Sequence, residues 1–195
     1  MSELIQYRSQ RQRSDDTASL GLLIFLASWA MLFAAALFAY GALRLHAPQW
    51  PPAGVPRMSA SLPTLGVLSA LAASAAMELG VWRIGRGRPL ELSAALILAL
   101  LFGLLFLGFL VAFWQRLELS GIHFQSGPYG AALHAVTALE ALHVAVGVGA
   151  VGVLLSRSFD GRYSAPRHLP VRLWTLYWHF LSLAWLVIFA LVFAV

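Results

Sequence analysis

The chain has 195 residues, of which 60% are hydrophobic and 11% charged, and it contains no cysteine. About a quarter of the residues of an ordinary soluble domain are charged, so the composition excludes that class and indicates a membrane protein. The absence of cysteine excludes catalytic thiols, disulfides, iron–sulfur clusters and haem attached through C-x-x-C-H. The net charge of +5 comes from arginines placed between apolar segments. We therefore expect no basic face for nucleic acid.

Five apolar stretches predict an all-α integral membrane bundle of five transmembrane helices. Each is close to the ~20 residues that a helix needs to cross a hydrocarbon core of ~30 Å. The stretches lack the alternation of apolar lipid-facing and polar lumen-facing residues that is typical of the strands of a transmembrane β-barrel. The predicted helices are 20–43, 62–82, 93–114, 130–155 and 173–195. The domain division predicted from them is a polar cytoplasmic segment over 1–18 and one membrane domain over 19–195.

The first apolar stretch, 20–43, is predicted to be retained as a helix. The rival interpretation is a cleaved signal peptide, whose apolar region is typically about 7 to 15 residues long. The stretch is longer than that and carries no charged residue.

The arginines predict the orientation of the helices. The N-terminal segment and the second and fourth connections together carry ten arginines, and the opposite side carries only Arg44, Arg57 and Arg116. The positive-inside rule then places the N-terminus in the cytoplasm and the C-terminus in the periplasm. Arginines next to the cytoplasmic helix ends are candidates for binding anionic lipid head groups. They are Arg83, Arg86, Arg88, Arg157 and Arg162.

Ionisable residues at membrane depth cost free energy and are the first place to look for function. The candidates are Glu78, Glu118, His134, Glu140, His143 and His179. For each of them, the alternative is a buried group that a neighbouring helix satisfies and that only helps to fix the packing.

Three chemical interpretations of these residues compete. Glu140 and His143 have the Glu-x-x-His spacing of di-iron bundles, but the second copy that such a site needs is missing. His143 and His179 are a candidate pair of haem ligands, on the evidence of two isolated histidines. A proton path would rest on three scattered carboxylates without a continuous chain of polar residues.

Small residues are concentrated in the second and fourth predicted helices. Such faces allow the backbones of membrane helices to approach closely. We therefore expect tight helix packing there, within the chain or against another subunit. The residues include Gly66, Ser69, Ala70, Ala73, Ser74, Gly147, Gly149 and Gly152.

Ordered short motifs in or next to all five apolar stretches resemble those of subunit III of the haem-copper oxidases, in its short five-helix bacterial form. The last helix carries the most specific one, Tyr-Trp-His-Phe at 177–180 with Trp185, similar to the family's Tyr-Trp-His-Phe-Val-Asp-x-x-Trp. His168 matches a histidine that the family often has before this motif. The other matches are GLLIFLAS at 21–28, LPTL at 62–65, QRLE at 115–118, YG at 129–130 and TALEALHV at 137–144 followed by Gly147.

The chain also departs from the family pattern at four positions. Trp29 stands where the family usually has an acid, and Gly66 replaces the asparagine that follows Leu-Pro-Thr-Leu. Glu140 replaces the first histidine of His-Gly-Leu-His, and Ser182 replaces the aspartate of the last motif. These departures leave the proton-handling roles of the family's acids open in this chain.

The resemblance implies a noncatalytic subunit of a respiratory oxidase in the bacterial cytoplasmic membrane. It implies no cofactor in this chain, haem and copper in the partner subunits, and packing beside subunits I and II, with a small subunit IV as a further candidate. Stabilisation of subunit I, support of proton uptake and phospholipid binding are the roles it implies. The residues matched to the family are Glu118, His143, His168, Tyr177, Trp178 and His179.

Two alternatives to this function stay open. The first is a subunit-III-like accessory protein of nitric oxide reductase, and the second is an independent small transporter or quinone-binding protein. For single residues, we expect Trp178 and His179 to be buried, and Glu140 and His143 to hydrogen-bond locally. Glu118 is the best candidate for a polar contact carried over from the family.

Overall fold

The protein is described by a computed structural model over residues 2–193, with side chains from residue 12 onward. All five helices are long and apolar enough to cross a membrane. This confirms the all-helical membrane fold and its five spans. The helices are α1 (Ser2–His46), α2 (Ser61–Gly85), α3 (Pro89–Leu119), α4 (Pro128–Phe159) and α5 (Leu169–Val192).

The helices extend beyond the predicted apolar stretches. A run of apolar residues predicts only the part of a helix that lies in hydrocarbon. It does not predict the polar turns by which the helix continues on either side. Thus α1 includes most of the polar segment predicted over 1–18, as one continuous helix with the first span. The last helix ends at Val192, and the end predicted at Val195 lies outside the described residues.

Three helices end in the same way, which explains the spacing of the glycines in the connections. Gly87, Gly121 and Gly161 have φ of +73°, +72° and +68°, and each is the second residue after its helix. A residue in this left-handed conformation at that position allows the backbone to satisfy the last helical carbonyls, and glycine adopts it without strain. The amide of Gly161, for example, donates to the carbonyl of Ser158 over 3.0 Å.

The helices α2 to α5 form a four-helix bundle. Both α2 and α4 pack against α3 and α5, while α1 lies outside against α4 and α5 only. In the most apolar window of α1, only 6% of the residues are buried. This first span therefore exposes most of its surface to the membrane or to other proteins. Apolar side chains fill the interior of the bundle, and the largest of those fully buried are Trp178, Trp185, Tyr177, Phe106 and Phe113.

Candidate functional site

The aromatic motif of α5 packs against glycines of two neighbouring helices. A Cβ atom added at Gly147 of α4 would lie 3.2 Å from the ring of Tyr177 and 3.3 Å from that of Trp178. At Gly103 of α3 it would lie only 2.8 Å from Trp178. The absence of a side chain at these glycines is what allows the indole of Trp178 to reach across the bundle. The close packing predicted for the small residues of the fourth helix is therefore confirmed at Gly147. Within the chain it is wrong for Gly149 and Gly152, where an added Cβ would have no atom within 4 Å.

Hydrogen bonds from four side chains of α5 reach backbone carbonyls of neighbouring helices. Donors buried in a membrane bundle need acceptors there, because acyl chains offer none. The pairs are Thr175 Oγ1 with Met77 of α2 at 3.5 Å, Tyr177 Oη with His143 of α4 at 2.9 Å, Ser182 Oγ with Ala70 of α2 at 2.9 Å, and Trp185 Nε1 with Pro63 of α2 at 3.3 Å. They hold α5 between α2 and α4.

Glu140 and His143 lie one turn apart on the buried face of α4. Glu140 is fully buried, and neither of its carboxyl oxygens has a hydrogen-bond partner among the described residues. His143 Nδ1 lies 2.5 Å from the carbonyl of Leu139, whereas its Nε2 has no described partner. The expected local hydrogen bond is therefore correct for His143 and wrong for Glu140. The His143 ring packs against α1, with its centroid 3.4 Å from that of Trp29.

His179 lies on the outer surface, which contradicts its expected burial. Its Nδ1 is 2.5 Å from Ser74 Oγ and its Nε2 is 3.2 Å from Glu78 Oε2, both on α2. Trp178 is completely buried, as expected. Consecutive residues of a helix are about 100° apart, and Tyr177 and Trp178 both point inward, so the next step of the helix turns His179 to the outer side. The pattern Ser-x-x-x-Glu at 74–78 is the sequence signal for this cluster, since it places both side chains on one face of α2.

Glu118 lies at the extracytoplasmic end of α3 in the predicted orientation. One of its oxygens is hydrogen-bonded to His123 Nδ1, and the other lies 3.7 Å from His134 Nε2 on α4. The Glu118 side chain is 54% exposed, so the pair with His123 is a solvated surface contact. His168, directly before α5, has a buried Nδ1 without a described partner.

The geometry does not favour a metal centre or a bis-histidine haem site in this chain. Within the described residues, no three His, Asp or Glu side chains come close enough to hold a metal ion. The Glu-x-x-His of α4 therefore has no second set of ligands beside it. His143 faces α1 and His179 faces α2, so the two imidazoles do not converge on one space.

Comparison with known proteins then decides the family. The family described as cytochrome c oxidase subunit III matches residues 9–195. The chain belongs to this family. Cytochrome c oxidase subunit 3 of Thermostichus vulcanus is 28% identical, with 91% of this chain and 87% of the relative covered. The same subunit of Synechocystis sp. is 27% identical, covering 91% and 76%. A probable cytochrome c oxidase subunit 3 of Nocardia farcinica is 27% identical, covering 91% and 87%.

The departures from the subunit III pattern have identifiable neighbours in the bundle. Gly66 lies under Trp185, and a Cβ added there would be 3.0 Å from Trp185 Nε1. Ser182 bonds the carbonyls of Ala70 and Trp178, each at 2.9 Å. The usual subunit III residues at these positions, asparagine and aspartate, are larger and would need different packing between α2 and α5.

The lipid-candidate arginines of this subunit III all lie at one end of the bundle. Ser93, near the start of α3, and Ser158, near the end of α4, are hydrogen-bonded over 2.9 Å and bring these helix ends together. Several of the arginines already have partners within the chain. The contacts are Arg83 with Glu91 at 2.5 Å, Arg88 with Glu91 at 3.1 Å, Arg162 with Asp160 at 3.4 Å, and Arg86 over the ring of Trp82 at 3.5 Å.

Two of these arginines border an open groove on α4. The groove has a volume of about 450 Å³ and runs from Gly149 and Gly152 to Arg157 and Arg162. Tyr163 lies next to these arginines. Burial raises the pKa of its hydroxyl, and the charges of Arg157 and Arg162 partly oppose that rise.

Proposed function

We propose that the chain is the noncatalytic subunit III of a bacterial haem-copper terminal oxidase, a multi-pass protein of the cytoplasmic membrane. It lies beside subunits I and II, with a small subunit IV as a further candidate neighbour. Haem and copper belong to the partner subunits. The observation that carries the proposal is the family match over residues 9–195, which includes all five spans.

The packing supports a structural role. The interior of the bundle is filled with apolar side chains, and polar side chains of α5 bond backbone carbonyls of neighbouring helices. Such interactions stabilise helix association in a membrane and do not prepare a reactive group. The large exposed surface of α1 leaves an extensive area for contact with other subunits.

The proposal includes the orientation and the division of the chain. We place the N-terminus and residues 1–18 in the cytoplasm, and the C-terminus of the membrane domain 19–195 in the periplasm. The arginine distribution supports this, because arginines favour the cytoplasmic side of a bacterial membrane. Thiol labelling of single cysteines introduced at Ser14 and Ser59 in intact cells tests it, since the chain has no cysteine of its own. Labelling at residue 59 alone is expected.

We also propose that this subunit binds anionic phospholipid and supports proton uptake into subunit I. The groove on α4 supports the lipid role, since its glycines leave room for an acyl chain and its arginines lie where a head group would be. An arginine near the membrane surface contributes ~1 kcal/mol to binding an anionic lipid. For proton uptake, we expect an oxidase depleted of this chain to lose activity progressively during turnover.

Purification through a tag on this chain tests the proposed function. The expected result is a complex that contains haem and copper and consumes oxygen. A complex that reduces nitric oxide would indicate the alternative role as an accessory protein of that reductase. A homo-oligomer without other subunits, seen by native mass spectrometry, would contradict both roles and favour an independent transporter or quinone-binding protein.

A further inference from the structure

The pair formed by Glu78 and His179 is exposed at membrane depth. The side chain of Glu78 is 60% exposed and that of His179 is 43% exposed. Glu78 lies five residues from Arg83 along α2, which is about 8 Å into the membrane at a rise of 1.5 Å per residue. His179 lies seven residues from Arg172 along α5, or about 10 Å. Both distances place the pair below the arginines of the helix ends.

Lipid chains do not satisfy these groups. One carboxylate oxygen of Glu78 contacts His179, and no described residue donates a hydrogen bond to the other oxygen. On α4, Glu140 and His143 are buried inside the bundle, and His134, nearer the start of the helix, is only 16% exposed. An exposed carboxylate that faces hydrocarbon costs several kcal/mol unless a donor covers it.

Glu78 lies on one wall of an open groove, and His179 lies on its floor. The floor is the face of α5 between its contact with α2, made by Ser182, and its contact with α1, where Phe180 packs on Phe33. The helices α1 and α2 flank this face and do not contact each other. The face is otherwise apolar and exposes Leu176 by 46% and Leu183 by 60%. Its apolar leucines and single polar pair match one side of a transmembrane helix.

We propose that this groove, formed by α5 between α1 and α2, receives a transmembrane helix of a partner oxidase subunit, and that this helix donates a hydrogen bond to Glu78. The partner helix is apolar except for one donor side chain at the depth of Glu78. Charge complementarity favours this occupant, because acyl chains carry no donor and leave the carboxylate unsatisfied. The inference rests on the proposed function, since it assigns the surface by which the chain joins the complex.

Photo-crosslinking in membranes that contain the assembled complex tests the assignment. A benzophenone amino acid is introduced at Leu183 in the groove or, as a matched control, at Leu104 on the outer surface of α3. Both positions are near the middle of a span, and their side chains are 60% and 49% exposed. We expect a crosslink to another oxidase subunit from residue 183 and none from residue 104.

Each other result overturns the inference in a distinct way. A partner crosslink from residue 104 and none from 183 would keep the proposed function and reject this surface. A crosslink from 183 to a second copy of this chain, or to lipid only, would reject the partner helix. The absence of any other subunit from the purified material would reject the proposed function as well.

Variants of Glu78 test the hydrogen bond itself. The complex is purified through a tag on the partner subunit, and the fraction of this chain that co-purifies is measured. Glu78→Leu is expected to reduce that fraction about tenfold, which corresponds to the free energy of one hydrogen bond to a charged group. Glu78→Gln keeps an acceptor oxygen and is expected to retain more of the chain. Glu91→Leu, which removes a glutamate at the start of α3, serves as the control and is expected to leave retention unchanged. Equal retention of Glu78→Leu and the unaltered chain would reject the proposed donor.

Discussion

The hydroxyl of Tyr177 on α5 donates to the backbone carbonyl of His143 on α4 over 2.9 Å. Gly147 makes this possible. It lies one turn after His143, and a Cβ at that position would already be 3.2 Å from the Tyr177 ring. One hydrogen bond and one missing side chain thus set the distance between the two helices.

Tyr177→Phe is expected to destabilise the chain modestly, by about 0.5–1.5 kcal/mol. The hydroxyl loses its bond across the interface, but the carbonyl of His143 is already within a helix, and the aromatic packing is kept. Unfolding of the chain in detergent by added denaturing surfactant, followed by circular dichroism, measures the change. Unaltered stability would show that the hydroxyl contributes nothing to the association of α4 and α5.

Gly147→Val is expected to cost more, about 1–3 kcal/mol, because its side chain overlaps the rings of Tyr177 and Trp178. Gly149→Val is the matched control. It makes the same change two residues away on the same helix, where an added Cβ has no atom within 4 Å. The same unfolding measurement compares them, and equal losses would mean that close packing at Gly147 is unimportant.

Glu140→Leu is expected to stabilise the chain by about 1–3 kcal/mol, the usual penalty for a buried polar group without a partner. Glu140 is fully buried, and its oxygens bond no described residue. Glu118→Leu provides the comparison, because that side chain is 54% exposed and should gain nothing. A loss of stability in Glu140→Leu would show that the carboxyl group has a favourable interaction in the membrane.

Replacement of Arg157 and Arg162 by Gln is expected to lower the anionic phospholipid that co-purifies with the chain. Each arginine contributes ~1 kcal/mol to binding an anionic lipid near the membrane surface, so the loss of the pair should lower the affinity about thirtyfold. Mass spectrometry of the bound lipid measures it. Arg116→Gln, at the other end of the bundle, is the control. Unchanged anionic lipid in the double variant would reject the groove on α4 as a lipid site.

The sequence predicted the five spans well, but not where each helix ends. The third helix was predicted over 93–114 and is observed from Pro89 to Leu119. Its additional turns include Glu91 and Arg116, which interrupt the apolar run without interrupting the helix. The proline at the start and the glycine after the end were the better signals for these boundaries.

The candidate site was predicted less completely. The sequence singled out His179 and Glu78 separately, and the structure joins them with Ser74 on an outer surface. It also paired Glu140 with His143 by spacing, whereas the structure leaves Glu140 without a described partner. The spacing of two residues in the sequence gives the angle between them around their helix. It does not give which side of that helix faces the interior of the bundle.

The sequence by itself determined the membrane class, the number of spans and the resemblance to subunit III. Transfer of a helix into lipid depends on the hydrophobicity of its own residues. The motifs that carry the resemblance to subunit III are likewise short stretches of consecutive residues. Only the tertiary structure decided which polar residues are buried and which are exposed. That outcome depends on the rotation of each helix against its neighbours, which is set by contacts between residues far apart in the chain, such as Trp178 with Gly103.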